Sequence, residues 1–340
     1  LVGECKPNTI DQQWIDELAS HPSVVVLTET TSNLHHTDFI NNIDTLITPF
    51  TDKEFAELQP RILITFGGMI VSKRIKAFLR KYKPRHHWHI DELRAYDTFG
   101  ILTKHFTVAP NQFFKQFLPH VKVVESNYKA FVQTIRNQRI SKHHEYLANI
   151  PFSDLKAFEN ILAALPGNTQ LQVSNSSAIR YAQLFDIDPS IEVFCNRGTS
   201  GIDGSTSTAI GAAVASNKQT TLITGDIGFL YDSNALWNNY IPKHFKIILI
   251  NNGGGGIFRI LPGHQENETF HTYFETSHCL TAEHLAKMYR FNYLTAADET
   301  TLNAGLKQLF ANNDQPAILE VFTPTRNNNK LLLDYFKALV

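Results

Sequence analysis

The chain has 340 residues, of which 43% are hydrophobic and 19% charged, the make-up of a globular protein with room for about two domains. A net charge of −1 offers no global field for nucleic acid or an anionic membrane, so any affinity for anions has to be local. The cysteines Cys5, Cys195 and Cys279 are too scattered for a disulfide framework or zinc ribbon and fit a reducing, cytoplasmic setting; no apolar run reaches the ~20 residues that span a bilayer.

The chain opens Leu1-Val2-Gly3-Glu4, with neither a methionine nor a signal-peptide pattern. This raises the expectation of a piece of a longer polypeptide, although processing leaves the same trace. Residues 24–27 (VVVL) and 62–66 (ILITF) read as buried strands. Residues 71–82 read as a basic amphipathic helix with Ile75, Phe78 and Leu79 on one face. Residues 121–125 (VKVVE) read as a further strand. His86, His87 and His89 read as strand-edge and surface residues, because no Cys, Asp or Glu pattern completes a zinc set. The polar stretch 137–149 reads as a linker ending at Pro151.

Beyond it, strand and helix patterns alternate more clearly. A helix over 153–165 has Ser153 as its cap. Strands follow at 171–175, 191–196, 220–225, 247–250 and 317–322. Helices are expected from near Ser176, over 205–216, up to 236, and over 281–289 and 300–310. The fold class expected is α/β, with doubly wound parallel sheets in two domains, 1–145 and 151–340.

Two strand ends carry the chemistry. The run TLIT ends in Gly225-Asp226, and the run IILI ends in Asn251-Asn252 followed by glycines 253–256. The two lie about one helix and one strand apart, the spacing of a βαβ unit, so they fall at the carboxyl ends of neighbouring strands, where open α/β sheets bind ligands. A carboxylate and an amide oxygen suit a hard cation such as Mg²⁺, which also takes phosphate oxygens. Glycines let backbone approach a diphosphate closely. Taken singly, Gly-Asp is as readily a helix cap and Asn-Gly a turn.

The pair resembles the diphosphate-binding motif of thiamine diphosphate enzymes: Gly-Asp, one intervening helix, then Asn-Asn. The resemblance implies Mg²⁺ or Mn²⁺ held by Asp226, Asn252 and the carbonyl of Gly254. One departure is Ile227, where many members carry Gly after the aspartate. The flanks SNSSAIR (174–180), NRGTSGIDGSTSTAIG (196–211) and NNGGGGIFRILP (251–262) are similar to the 2-succinyl-5-enolpyruvyl-6-hydroxy-3-cyclohexene-1-carboxylate synthases of menaquinone biosynthesis.

That resemblance implies decarboxylation of 2-oxoglutarate and addition of the succinyl carbanion equivalent to isochorismate. It puts Gly198, Ser200, Ile202, Gly225, Asp226, Ile227, Asn252, Gly254, Ile257, Phe258 and Leu261 around the cofactor. It puts Lys73, Arg74, Asn175, Ser176, Arg180 and Arg197 against the substrates. Both substrates are dicarboxylates, for which arginine is the natural partner. Lys73 and Arg74 open a predicted helix, where the dipole disfavours cations, so a bound anion would offset that cost. The resemblance also implies a homo-oligomer, and an activating glutamate on an amino-terminal domain. No such domain is read in this sequence, so the isolated chain is expected not to turn over. Another thiamine diphosphate enzyme, of the acetolactate synthase or decarboxylase kind, or a binding module without catalysis, would share Asp226 and Asn252. A nicotinamide dehydrogenase is disfavoured, since no GxGxxG follows a strand.

Overall fold

Apolar β-branched runs separated by helical periods build an all-parallel sheet in each of two compact units. The computed structural model describes residues 1–260, 263, 265–311 and 314–340. The first unit comprises Leu1–Glu145 and Phe336–Val340, the second Tyr146–Tyr335. No described helix is long and apolar enough to cross a membrane.

In the first unit, helices α1 (Gln12–Ser20), α2 (Ile43–Ile47) and α3 (Asp52–Leu58) precede strand β1 (Ile62–Phe66). Then come α4 (Lys73–Lys81), β2 (His86–Ile90), β3 (Lys104–Phe106), α5 (Pro110–Phe117) and α6 (Tyr128–Leu147). The strands pair in parallel in the order β1-β2-β3. Ile75, Phe78 and Leu79 of α4 are buried, as their spacing predicts.

Four readings from the sequence need correction here. Residues 24–27 form no strand; only Leu27 makes an isolated bridge, with Ile40. Residues 121–125 form none either, and Val123 and Val124 are exposed. Each run has β propensity but no neighbouring strand to pair along its length, and propensity alone does not make a strand. Residues 137–147 of the supposed linker are the second half of α6. The stretch is polar but has no Gly or Pro, its straight-chain residues are good helix formers, and Arg139 and His143 are buried. Finally, β2 is the central strand rather than an edge, and His87 is only 1% exposed.

The second unit continues with α7 (Asp154–Ala163), β4 (Gln170–Ser174), α8 (Ser177–Ala182), β5 (Glu192–Asn196), α9 (Ser205–Ser216), β6 (Thr220–Gly225) and α10 (Asp226–Tyr231). It ends with β7 (Phe245–Asn251), α11 (Glu283–Met288), β8 (Asn292–Ala296), α12 (Glu299–Ala311), β9 (Ala317–Phe322) and α13 (Asn328–Ala338), whose last residues belong to the first unit. Ser153 caps α7 by accepting the N–H of Lys156.

The six strands run in parallel in the order β5-β4-β6-β7-β9-β8. Every residue of β4 and β7 is buried, as helices on both faces of a sheet require. Ala209, Ile210 and Ala213 of α9 pack on Leu222, Ile247 and Leu249 of the sheet. From β4 the chain first crosses to β5 and then returns to the other side of β4 as β6. The direction of winding therefore reverses between β4 and β6, which opens a crevice at their carboxyl ends.

Candidate functional site

Three strand ends meet at that crevice. β4 delivers Asn175 and Ser176, β6 delivers Gly225 and Asp226, and β7 delivers Asn251 and Asn252. In the parallel register Gly225 stands opposite Ile250, so Asp226 and Asn252 leave the sheet at nearly the same level. A cavity of about 230 Å³ lies there. Its polar end is made by Asp226, Asn252, Gly254 and Asp154; Ile202, Ile227, Ile257 and Phe258 supply much of its apolar wall.

Asp226 is 4% exposed and fully engaged. Its Oδ1 accepts the N–H of Ile227 at 2.7 Å, its Oδ2 accepts the N–H of Gly254 at 2.9 Å, and His278 Nε2 lies 3.3 Å from Oδ2. Asn251 does structural work: its Nδ2 donates to Glu320 at 2.7 Å and to Leu280 O at 2.9 Å, and its Oδ1 accepts the N–H of Gly253 at 3.1 Å. Asn252 instead turns into the cavity, donating from Nδ2 to Asp154 Oδ2 at 2.9 Å. Its amide oxygen, at the other end of the group, remains for a cation.

The glycine loop also depends on a close approach within the chain itself. Gly254 has φ +149°, and a Cβ there would stand 2.7 Å from the carbonyl of Glu275. What the missing side chain admits is the chain at 275–277, which presses the loop against the cavity. The Gly254 carbonyl accepts the N–H of Gly256 at 3.0 Å and keeps a second lone pair. Where relatives of the motif place Gly after the aspartate, this chain has Ile227, and the close approach falls one position later. A Cβ on Gly228 would meet Ile202 O at 3.2 Å.

Electrostatics favour a cation. Burial pushes the Asp226 carboxyl above its ordinary value, against the pull of the Ile227 N–H, His278 and Gly254 N–H. Asp154, 3% exposed, is pushed up to about 6 by burial and further by Asp226, while hydrogen bonds from Thr323 and Asn252 oppose the shift. Two buried acids thus face one cavity, and no Lys or Arg is among its described lining residues. The donors are a carboxylate, an amide and a carbonyl, the oxygen set of Mg²⁺ rather than the N/S set of zinc. The donor set and the apolar wall therefore fit a divalent ion with a diphosphate and its ring system.

The other expected site residues divide between the cavity wall and the segments behind it. Asn175 lines the cavity but also ties down the next loop. Its Nδ2 donates to Ser200 O at 2.5 Å and Gly201 O at 3.0 Å, and its Oδ1 accepts Arg197 Nη1 at 2.5 Å. Arg197, Gly198 and Ser200 do not line the cavity themselves. Ser176 does, with φ +78°, a conformation costly for a residue with a side chain. Arg180 turns back and donates to Ser176 O at 2.9 Å. Leu261 lies outside the described residues.

Lys73 and Arg74 belong to the first unit, and the helix start they occupy does not depend on a bound anion. The start of α4 has its own anions. Glu29 accepts the N–H groups of Val71 at 2.5 Å and Ser72 at 2.7 Å, and Asp44 accepts the Ser72 hydroxyl. Arg74 stacks its guanidinium 4.6 Å from the centre of the Phe336 ring.

A family profile described as the middle domain of thiamine pyrophosphate enzymes matches residues 2–173, about half of the chain. The chain belongs to the thiamine pyrophosphate enzymes. A second profile, their C-terminal TPP binding domain, matches residues 176–321, which contain Asp226 and Asn252. A Flavobacterium psychrophilum protein is 69% identical over 100% of this chain, one from Flavobacterium johnsoniae 67% over 100%, and one from Porphyromonas gingivalis 37% over 99%. All three are named 2-succinyl-5-enolpyruvyl-6-hydroxy-3-cyclohexene-1-carboxylate synthase. The chain spans 62%, 61% and 60% of their respective lengths.

The residues that sequence reasoning missed are Asp154, His278 and Glu275. Asp154 looked like an ordinary acid in the first turn of a capped helix. The other two lie past the glycine loop, where no local pattern marks them.

Proposed function

We propose that the chain forms the middle and diphosphate-binding parts of a thiamine diphosphate- and Mg²⁺- or Mn²⁺-dependent synthase of menaquinone biosynthesis. In this reading the enzyme decarboxylates 2-oxoglutarate and adds the succinyl unit to isochorismate, working as a cytoplasmic homo-oligomer. The observation that carries it is the approach of Asp226 to Gly254, with Asn252 on the same cavity; the names of the close relatives support the reaction.

Asp226, Asn252 and the Gly254 carbonyl would hold the metal, and the metal the diphosphate. When bound, thiamine diphosphate supplies the carbon that accepts the electrons released with CO₂. Ile202, Ile227, Ile257 and Phe258, on the cavity wall, would help to exclude water from the bound group. Arg197 supports a carboxylate-binding role, because its buried Nε has no acceptor among the described residues. Lys73, Arg74, Arg180, Asn175 and Ser176 are proposed as further substrate contacts.

Titration calorimetry of this chain tests the cofactor reading. Heat is expected from thiamine diphosphate only when Mg²⁺ is present, and no heat under either condition overturns it. For the reaction, isochorismate consumption by the complete enzyme should depend on 2-oxoglutarate. Turnover of pyruvate instead would point to another member of the family.

A further inference from the structure

We infer that Asp154 is a positioning residue for the metal, acting by setting which end of the Asn252 amide faces the cavity. The inference rests on the cofactor reading above and adds a residue to it. Asp154 opens α7, and its N–H donates to Asn328 Oδ1 at 2.9 Å. Its Oδ1 accepts the Thr323 hydroxyl at 2.5 Å, and its Oδ2 accepts Asn252 Nδ2 at 2.9 Å. One buried carboxylate thereby ties together the start of α7, the end of β7 and the segment after β9.

An amide has two ends of nearly equal size and opposite chemistry, a donor and an acceptor. Sterics alone cannot choose between them. An ionised carboxylate only accepts, so the end turned toward Asp154 is the NH₂ and the end turned away is the oxygen. The flipped amide would set oxygen against oxygen in a buried site and present two N–H groups to the cation. Asp154 therefore holds Asn252 as a ligand before the metal arrives. Partners of this kind, one bond removed from a metal, typically change affinity by about 10–100-fold when lost.

The test is a set of Mg²⁺ titrations of this chain at saturating thiamine diphosphate, with Asp154→Leu, Asp154→Asn and Asn252→Ala. Asp154→Leu keeps the forked shape with bulkier ends and removes the acceptor; its Kd for Mg²⁺ should rise about 10–100-fold. Asp154→Asn keeps an oxygen for Asn252 and should lose about threefold or less. In the Asn252→Ala background, Asp154→Leu should change Kd by no more than about twofold, because its target is gone. Equal losses in both backgrounds, or none in either, would overturn the inference. So would a loss of about tenfold or more in Asp154→Asn, which would assign the effect to charge rather than to orientation; this variant decides the matter if Asp154→Leu shows no cooperative melt. Failure of the wild-type chain to bind at all would sink the cofactor reading and this inference with it, whereas binding by the wild type and all variants alike would sink this inference alone.

Discussion

Asp226 Oδ2 accepts the backbone N–H of Gly254 at 2.9 Å, joining residues 28 positions apart at the ends of two strands. The bond places a carboxylate and a strained glycine loop side by side before any ion is present. The loop depends on Gly254 lacking a side chain, since a Cβ would sit 2.7 Å from Glu275 O and φ is +149°. Gly254→Ala should cost the metal-free chain about 1–3 kcal/mol and abolish Mg²⁺-dependent binding of thiamine diphosphate. Chemical denaturation and calorimetry on the same preparation check both halves.

On the proposed cofactor reading, Asp226 trades stability for affinity. It is buried near a second buried acid, Asp154, and is held above its ordinary pKa by burial. Asp226→Asn should therefore melt at a higher temperature than the wild type when both are metal-free near neutral pH. The same variant should show no thermal shift with Mg²⁺ and thiamine diphosphate, where the wild type shifts upward. Melting curves with and without the ligands decide this.

The loop carrying Ile257 and Phe258 is braced by an ion pair between Arg259 and Glu275, whose side chains are 8% and 2% exposed. Glu275 also bonds His271 Nδ1 at 2.8 Å and Ser277 Oγ at 2.9 Å, and its carbonyl accepts the N–H of Gly255 at 2.6 Å. Arg259→Met leaves a buried carboxylate without its cation and should cost about 3–5 kcal/mol in urea unfolding. Arg259→Met with Glu275→Gln should recover part of that loss, because the only other carboxylate shown paired with Arg259, Glu266, is 46% exposed.

The first unit should carry an acid sensitivity unrelated to the cofactor. His87 lies in the central strand with Nε2 2.8 Å from Thr65 Oγ1. Burial, then the nearby His89, hold its pKa at about 4 against an ordinary 6.5. Between those values the unfolded chain binds more protons than the folded one, so stability is full above 6.5 and falls as pH drops toward 4. His87→Gln should flatten that fall. Urea midpoints taken at a series of pH values across the window test it, and parallel slopes for wild type and variant would rule the assignment out.

Much of the second unit was legible locally. β6 and β7 are buried almost throughout, because both faces of a doubly wound sheet are covered, and each carries an apolar run, Leu222-Ile223 and Ile247 to Ile250, shortly before its end. That is how Asp226 and Asn252 could be placed at strand ends from the pattern alone. β8 and β3 were not legible: the first is a partly exposed edge strand with a weak pattern, and the second has only three residues. The run at 24–27 misled for the opposite reason, with strong propensity and no partner beyond one bridge.

By itself the amino-acid sequence determined the α/β alternation, the strand-end positions of Asp226 and Asn252, and the family to which they belong. These are properties of short windows, in which burial dictates hydrophobic period and a turn dictates glycine. Only the tertiary structure decided that Asp154 faces Asn252, that Arg180 turns back to Ser176, and that Glu29 and Asp44 bond the residues just ahead of Lys73 and Arg74. The first and last of these join residues far apart in the chain. The middle one is a side-chain rotamer within one helical turn, which a hydrophobic pattern does not specify.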